Sequence, residues 1–159
     1  MEVVYTIIAL YALFMTGWFI YVCRRRSHNK KRLKRTQSGA IELTPEEFFR
    51  MRKESLGKNG KTSFGLTHNF AGVYVLYNKT KNMYYVGQGQ RVFDRVNSHF
   101  TGKGNGDVYA DYKYGDEFTI TTFALEESGY SSLNELERSA IEAYGAFANG
   151  YNKTRGNRG

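Results

Sequence analysis

The 159-residue sequence contains a single cysteine. One long stretch has no charged side chain, and the stretch after it has no acidic one. With no second cysteine, Cys23 cannot form an internal disulfide, which suits a reducing compartment. Residues 3–23 contain no charged side chain, and residues 24–35 contain no acid. The glycine-rich segment 101–107 lacks the spacing and the lysine of a P-loop, which argues against a phosphate-cradling role. There are no internal repeats, and the length fits one domain with appendages.

The uncharged segment 3–23 is long enough to cross a bilayer. As a helix it spans roughly 30 Å, the thickness of the hydrocarbon core. Tyr5 lies near one end and Trp18 and Tyr21 near the other, where such rings favour the membrane interface. A cleaved signal peptide fits less well, because no Lys or Arg precedes the run and no A-x-A site follows it. A buried core helix fits worse, because the run is apolar all round. We therefore predict a single membrane anchor.

The acid-free segment 24–35 contains eight Lys and Arg residues. Positive flanks stay on the cytoplasmic side, which predicts that the C-terminal domain is cytoplasmic. These cations could also bind anionic lipid headgroups or nucleic-acid phosphates, and of these a topology signal lying on lipid is the simpler interpretation. The chain has a net charge of +8, but outside this segment residues 36–159 amount to only +1. The high isoelectric point is therefore not separate evidence that the domain binds nucleic acid.

The rest of the chain alternates between helical and strand signals. Thr44 begins a capping-box helix predicted to extend to Leu56, with Gly57 as its stop. Residues 118–125 alternate loosely and are predicted to be a strand. We divide the chain into a transmembrane anchor (1–23), a basic juxtamembrane arm and linker (24–43), a leading helix and loop (44–69) and a C-terminal domain (70–159).

A predicted hairpin organises the C-terminal domain. Two β-rich runs, 72–77 and 83–87, flank the Asn- and Lys-rich segment 78–82. Side chains alternate across a strand, so a suitable register would place the hydroxyls of Tyr74 and Tyr85 side by side.

After the hairpin the period changes from two to about 3.6, which predicts a helix. Its apolar stripe consists of Val92, Val96 and Phe100. A second stripe, about 100° round, consists of Arg91, Arg95 and His99. We expect this second stripe to be a cationic face directed away from the core, next to the two tyrosines.

Glu137 is an acid on the apolar side of a predicted helix. A capping box at Ser132 begins this helix, which is predicted to extend to about Tyr144. Glu137 lies four residues from both Leu133 and Ile141, which belong to the apolar stripe. A buried carboxylate is costly without a cation or donors. A rim acid that reaches solvent, a structural pair with an Arg and a metal ligand all remain open.

Taken together, these residues match a known family. The tripeptides Gly72-Val73-Tyr74 and Tyr85-Val86-Gly87 are followed by Arg95, His99, Glu137 and Gly150-Tyr151-Asn152. In this order and spacing they resemble the GIY-YIG nuclease domain over residues 70–152. The resemblance implies an α+β fold, a small three-stranded, mainly antiparallel sheet flanked by helices, here preceded by one transmembrane helix.

The resemblance also implies an activity, that of a metal-dependent endonuclease that hydrolyses phosphodiester bonds, with DNA as the expected nucleic acid. The apolar run 3–23 would anchor this enzyme in a membrane. It implies that Glu137 holds Mg²⁺ or Mn²⁺ and that Tyr74 is the general base, although His99 could relay the proton instead. It assigns the remaining roles as follows: Tyr85 orients water or phosphate, Arg95 grips phosphate, and Asn152 positions the phosphate or Tyr74. Further phosphate contacts are expected from Arg91, Lys153 and Arg155.

Each of these residues, taken alone, has an ordinary structural explanation, such as a strand tyrosine or a solvated helix-face arginine. The alternative function is accordingly a membrane-tethered module that binds nucleic acid or a protein without cutting. The complete set Tyr74, Tyr85, Arg95 and Glu137 favours the enzyme. Because only residues 153–159 follow Asn152, we expect little capacity to recognise base sequence.

Overall fold

The computed structural model describes residues 2–36, 42–56 and 62–157. The helices are α1 (Glu2–Thr36), α2 (Pro45–Lys53), α3 (Phe64–Thr67), α4 (Val92–Phe100), α5 (Gly106–Lys113) and α6 (Leu133–Tyr144). The strands are β1 (Ser55–Leu56), β2 (Thr62–Ser63), β3 (Gly72–Asn78), β4 (Met83–Gly89) and β5 (Phe118–Ala124).

The sheet that carries the site has the strand order β4-β3-β5 and is antiparallel throughout. Tyr74 lies opposite Gly87, and Leu76 lies opposite Tyr85. Tyr74 and Tyr85 are therefore diagonal neighbours on one face of the hairpin, with ring centroids 6.2 Å apart. The predicted α+β fold with a three-stranded sheet is confirmed.

Each face of this sheet has its own hydrophobic core. Val73, Val75 and Val86 pack on one face against α6 and the end of α1. Tyr74 and Leu76 pack on the other face against α2, α4 and α5. Because side chains alternate along β3, one strand supplies both cores. The edge strand β4 lies beside Tyr74 of β3 and also contacts α6, and the site lies there.

One local prediction was wrong, and one helix was not predicted. Helix α2 ends at Lys53 rather than Leu56, because Ser55 and Leu56 pair with Thr62 and Ser63 as a short antiparallel ladder. The proposed stop, Gly57, lies outside the described residues. Residues 106–113 form helix α5, which the glycine-rich pattern did not predict. Its cap is the Asn105 side chain, which accepts from the main-chain N–H groups of the first turn.

Helix α1 is continuous across the predicted boundary between anchor and basic arm. Its segment Glu2–Leu33 is long and apolar enough, by length and composition, to cross a membrane. Beyond the apolar run the helix packs on the domain through Arg26, Asn29 and Leu33, which lie on one side. Leu33 is fully buried in the core shared with α6. Residues 26–33 therefore lie against the folded domain.

We expect the end of α1 to stabilise the domain measurably. Leu33→Ala should lower the free energy of unfolding by about 2–5 kcal/mol, because it leaves a cavity at a fully buried position. Leu13→Ala, in the exposed part of the same helix, should change it little. Pulse proteolysis of the full chain in detergent across a urea series measures both variants. Equal midpoints for Leu33→Ala and the wild type would contradict this packing.

Candidate active site

A cleft of about 350 Å³ lies along strand β4. It is bounded by β3, β4, α4, α6 and the chain after Gly150. Five of the six predicted catalytic residues line it: Tyr74, Tyr85, Arg95, Glu137 and Asn152. The sixth, His99, lies behind Tyr74 and contacts it directly.

The Tyr74 hydroxyl lies at the centre of the site. Its oxygen is 2.8 Å from His99 Nε2. A Cβ atom on Gly87 would come within 2.4 Å of that oxygen, so the hydroxyl lies directly over a position that only glycine can occupy. The alternation of β3 and β4 produces this arrangement, because Tyr74 and Gly87 are opposite partners in the ladder.

His99 does not belong to an outward-facing cationic stripe, and that prediction was wrong. Its side chain is buried, while Arg91 and Arg95 of the same stripe are exposed. The Asn105 main-chain N–H donates to His99 Nδ1 at 2.8 Å. Since Nδ1 accepts, the proton of the neutral ring resides on Nε2, which donates to the Tyr74 oxygen. Burial, and then the charge of Arg95, lowers the pKa of His99 from 6.5 to about 4.

The loop after α4 holds His99 in this state. A Cβ atom on Gly104 would come within 2.6 Å of His99 Nδ1, so a larger residue would displace the ring or the loop. The Asn105 side chain meanwhile caps α5. One short glycine-rich segment therefore begins a helix and fixes the tautomer of a buried histidine.

We expect His99 to make the protein less stable in mild acid. Its pKa is about 4 in the folded chain and near 6.5 when unfolded, so the unfolded chain binds the additional proton between these values. Stability should therefore be complete above pH 6.5 and fall by about 3 kcal/mol as the pH approaches 4. Urea unfolding from pH 7 to pH 4 measures this, and His99→Gln should remove that part of the slope. An unchanged slope in His99→Gln would contradict the buried neutral state.

The two tyrosines are protonated in the free protein at neutral pH. Burial raises the pKa of Tyr74, the neighbouring Tyr85 raises it further, and Arg95 lowers it. Burial also raises the pKa of Tyr85, against the charge of Arg95. Tyr74 is fully buried and Tyr85 half-buried, so Tyr85 has the more direct access to solvent.

Glu137 is a buried carboxylate without a cationic partner among the described residues. It is 7 % exposed, as expected from its place on the apolar side of α6. Its Oε2 accepts from Gln88 Nε2 at 3.1 Å and from the Asn157 main-chain N–H at 3.3 Å. Within residues 62–157 and the other described ranges, it forms no ion pair, and the structural pair with an arginine is not observed.

The donor set around Glu137 suits a hard cation of the Mg²⁺ type. Such an ion needs one or two carboxylates and takes its other ligands from water and phosphate oxygens. The described part of the chain contains no cluster of three or more His, Cys, Asp or Glu side chains suited to a metal. Glu137, held by Gln88 and facing a cleft, would be the single protein carboxylate of such a site.

Asn152 holds the edge strand in place. Its side-chain oxygen accepts from the Val86 N–H at 2.8 Å, and its amide nitrogen donates to the Val86 carbonyl at 2.8 Å. The side chain thus takes the place of a neighbouring strand beside Tyr85. Its predicted contact with the phosphate or with Tyr74 stays a prediction.

The three cations predicted to contact phosphates have protein partners at the surface. Arg91 pairs with Asp94 at 2.6 Å, and Lys153 pairs with Asp107 at 3.2 Å. The Arg155 guanidinium lies 5.3 Å from the centre of the Phe147 ring. Exposed pairs of this kind are weak, so the side chains can reorganise around a ligand.

Two residues of the site, Gln88 and Asn105, were not predicted from the sequence. Gln88 donates to Glu137 and also, at 2.7 Å, to Asn134 on the first turn of α6. Asn105 contributes the main-chain N–H that fixes His99. A polar residue directly after the second tripeptide was the available signal for Gln88. No local pattern identifies Asn105, because the contact uses its main chain.

Comparison with known families gives a match to the model described as GIY-YIG catalytic domain, over residues 70–152. The matched segment contains both tripeptides and every residue of the cleft up to Asn152. No curated protein and no solved structure matches the chain.

Proposed function

The chain belongs to the GIY-YIG catalytic domain family, and from this we propose that it is a metal-dependent endonuclease that cuts DNA while anchored in a membrane. The family match supports a nuclease-type function. The observation that carries the proposal is the cleft, in which Tyr74, exposed Arg95 and Glu137 lie together, with His99 behind Tyr74 and bonded to its hydroxyl.

Glu137 would hold Mg²⁺ or Mn²⁺, which would stabilise charge on the phosphate and acidify a bound water. The protein's own part is to keep the carboxylate in position. Gln88 does this, because its amide links Glu137 to Asn134 and so ties the end of β4 to the start of α6.

We assign proton acceptance to the phenolate of Tyr74 rather than to His99. The phenol would lose its proton once a cation at Glu137 adds to the positive charge of Arg95. His99 has no free lone pair in the plane of its ring, since Nδ1 accepts from Asn105 and Nε2 carries the proton. Its Nε2–H donates to the Tyr74 oxygen, and a donor there favours the phenolate. The charge of Arg95 also lowers the pKa of Tyr74, against burial. Half-buried Tyr85 is placed to orient the attacking water.

We propose that Arg95 binds the scissile phosphate. It is exposed, it lines the cleft, and its planar guanidinium can donate two hydrogen bonds to phosphate oxygens. Arg91, Lys153 and Arg155 would contact neighbouring phosphates once their surface partners are displaced. Such contacts give affinity without sequence preference.

The membrane part of the proposal rests on α1. We place its apolar run across the bilayer and the domain on the cytoplasmic side, where the cations of 24–35 are retained. A protease added to intact cells should then leave the domain undigested, while it should degrade the domain in opened cells. Digestion in intact cells would reverse the assigned orientation.

The function is tested by incubating the full chain in detergent with supercoiled plasmid and Mg²⁺. The proposal predicts nicking that stops with a chelator and resumes when Mg²⁺ is restored. An RNA of similar length, tested in parallel, decides whether DNA is the substrate. Binding to the plasmid without any nicking would instead favour the non-catalytic module.

A further inference from the structure

We propose that the loop after α6, residues 145–149, lies in the lipid headgroup layer with the Phe147 ring as its main contact. The inference rests on the proposed membrane span of α1. It adds a second membrane contact, made by the catalytic domain itself, and it commits to lipid as the partner.

The first support is the direction in which α1 packs on the domain. Arg26 lies beside Gly145, with its guanidinium 3.8 Å from where a Cβ would be. Farther along α1, Arg32 donates to the Gly129 carbonyl at 3.0 Å, ahead of the start of α6. From Arg26 to Arg32 along α1, the contacted residue moves back from Gly145 to Gly129, so α1 and α6 are antiparallel. The C-terminal end of α6 therefore faces the membrane end of α1.

The second support is the expected depth of Gly145 relative to the bilayer. The uncharged run ends at Cys23, and Arg26 follows it by about 4.5 Å along the helix axis. The headgroup layer on each side of a bilayer is roughly 5–7 Å thick. Residues 2–21 are all exposed, whereas Val22 is half-buried, so the domain begins at the very edge of the apolar run. Gly145, beside Arg26, is then at headgroup depth.

The third support is the composition of the loop. Its sequence, Gly-Ala-Phe-Ala-Asn, carries no charge. The Phe147 ring is 41 % exposed, and the Arg155 guanidinium lies 5.3 Å from its centre. An exposed ring beside a cation suits the interface, where the ring meets lipid and the cation meets phosphate headgroups. With Arg155 at the membrane, contacts with DNA phosphates beyond the cleft are left to Arg91 and Lys153.

This contact would place the cleft close to the membrane surface. The loop leads directly into Tyr151, whose N–H donates to the Tyr84 carbonyl, and into Asn152, which holds β4. The chain after Gly150 forms one wall of the cleft, and this wall directly follows the loop that would contact the membrane. DNA would have to enter from the opposite side.

Tryptophan fluorescence in vesicles tests the inference, because Trp18 is the only tryptophan of the chain. In the full chain, native Trp18 reports insertion of α1. The double variant Trp18→Phe, Phe147→Trp carries the loop probe. The double variant Trp18→Phe, Leu66→Trp carries the control probe. Leu66 is also an exposed apolar residue, but its helix α3 packs through Phe64 on Phe93, at the Gly72 end of the sheet. Tyr144 and Gly150, which flank the loop, lie instead beside Tyr84, near the hairpin end.

Each variant is placed in vesicles with and without lipids brominated on the acyl chain. We expect bromine to remove roughly half of the emission of the loop probe and none of that of the control probe, with a blue shift only for the loop probe. Quenching of native Trp18 without quenching of the loop probe would overturn the loop contact and leave the anchor intact. Unquenched Trp18 would overturn the anchor and the inference together. A blue-shifted loop probe that bromine does not quench would mean that protein covers the loop, which also overturns the inference.

Discussion

Glu137→Gln is expected to lose cleavage almost completely, by about a thousandfold, while plasmid binding is retained. The substitution keeps the shape of the side chain and removes the charge that would hold the cation, whose contribution is worth several kcal/mol. It breaks no ion pair in the described structure, because Glu137 has none there. Plasmid nicking and filter binding of the same preparations measure the two effects.

The matched control for this variant is Glu126→Gln. Glu126 is exposed in the turn before α6, so the same chemical change there should leave nicking unchanged. Urea unfolding of both variants shows whether the fold is kept. If Glu137→Gln nicks as fast as the control, the site has been assigned to the wrong carboxylate.

Tyr74→Phe is the second substitution with a large expected effect. It removes the proposed proton acceptor and should slow nicking by about 10²–10⁴-fold. It also leaves the buried His99 Nε2–H without its acceptor, which should lower the free energy of unfolding by about 1–3 kcal/mol. Single-turnover cleavage and urea unfolding measure the two consequences separately.

Tyr77→Phe is the control for the hydroxyl. Tyr77 lies on the same strand, and its hydroxyl donates to the Asn82 side chain at the exposed turn, away from the cleft. It should change neither the rate nor the stability appreciably. Wild-type nicking by Tyr74→Phe would show that another group accepts the proton. Half-buried Tyr85 would then be the first residue to substitute.

Short-range patterns were sufficient to predict the elements that build the cleft. The hairpin follows from two β-rich runs around a polar turn, and strand alternation with the register observed puts Tyr74 and Tyr85 on one face. The position of Glu137 follows from its spacing to Leu133 and Ile141, and the structure confirms that it is buried. In each of these cases the determining residues are within a few positions of one another.

The errors have a common physical origin in contacts between distant residues. Helical spacing groups His99 with Arg91 and Arg95, but Tyr74, far away in sequence, and the turn of the chain to Asn105 draw it into the core. Composition shows eight cations after the apolar run, but only the position of α6 reveals that Leu33 is a core residue. Helix α2 likewise ends early because of pairing with Thr62 and Ser63.

We expect cleavage to depend on a cation held by Glu137. This is measured by titrating Mn²⁺ into the full chain, with the unbound ion followed by its electron paramagnetic resonance signal and plasmid nicking assayed on the same samples. Nicking should rise with occupancy of the bound ion, and Glu137→Gln should lose both together. Nicking without bound Mn²⁺, or undiminished binding and nicking in Glu137→Gln, would contradict it.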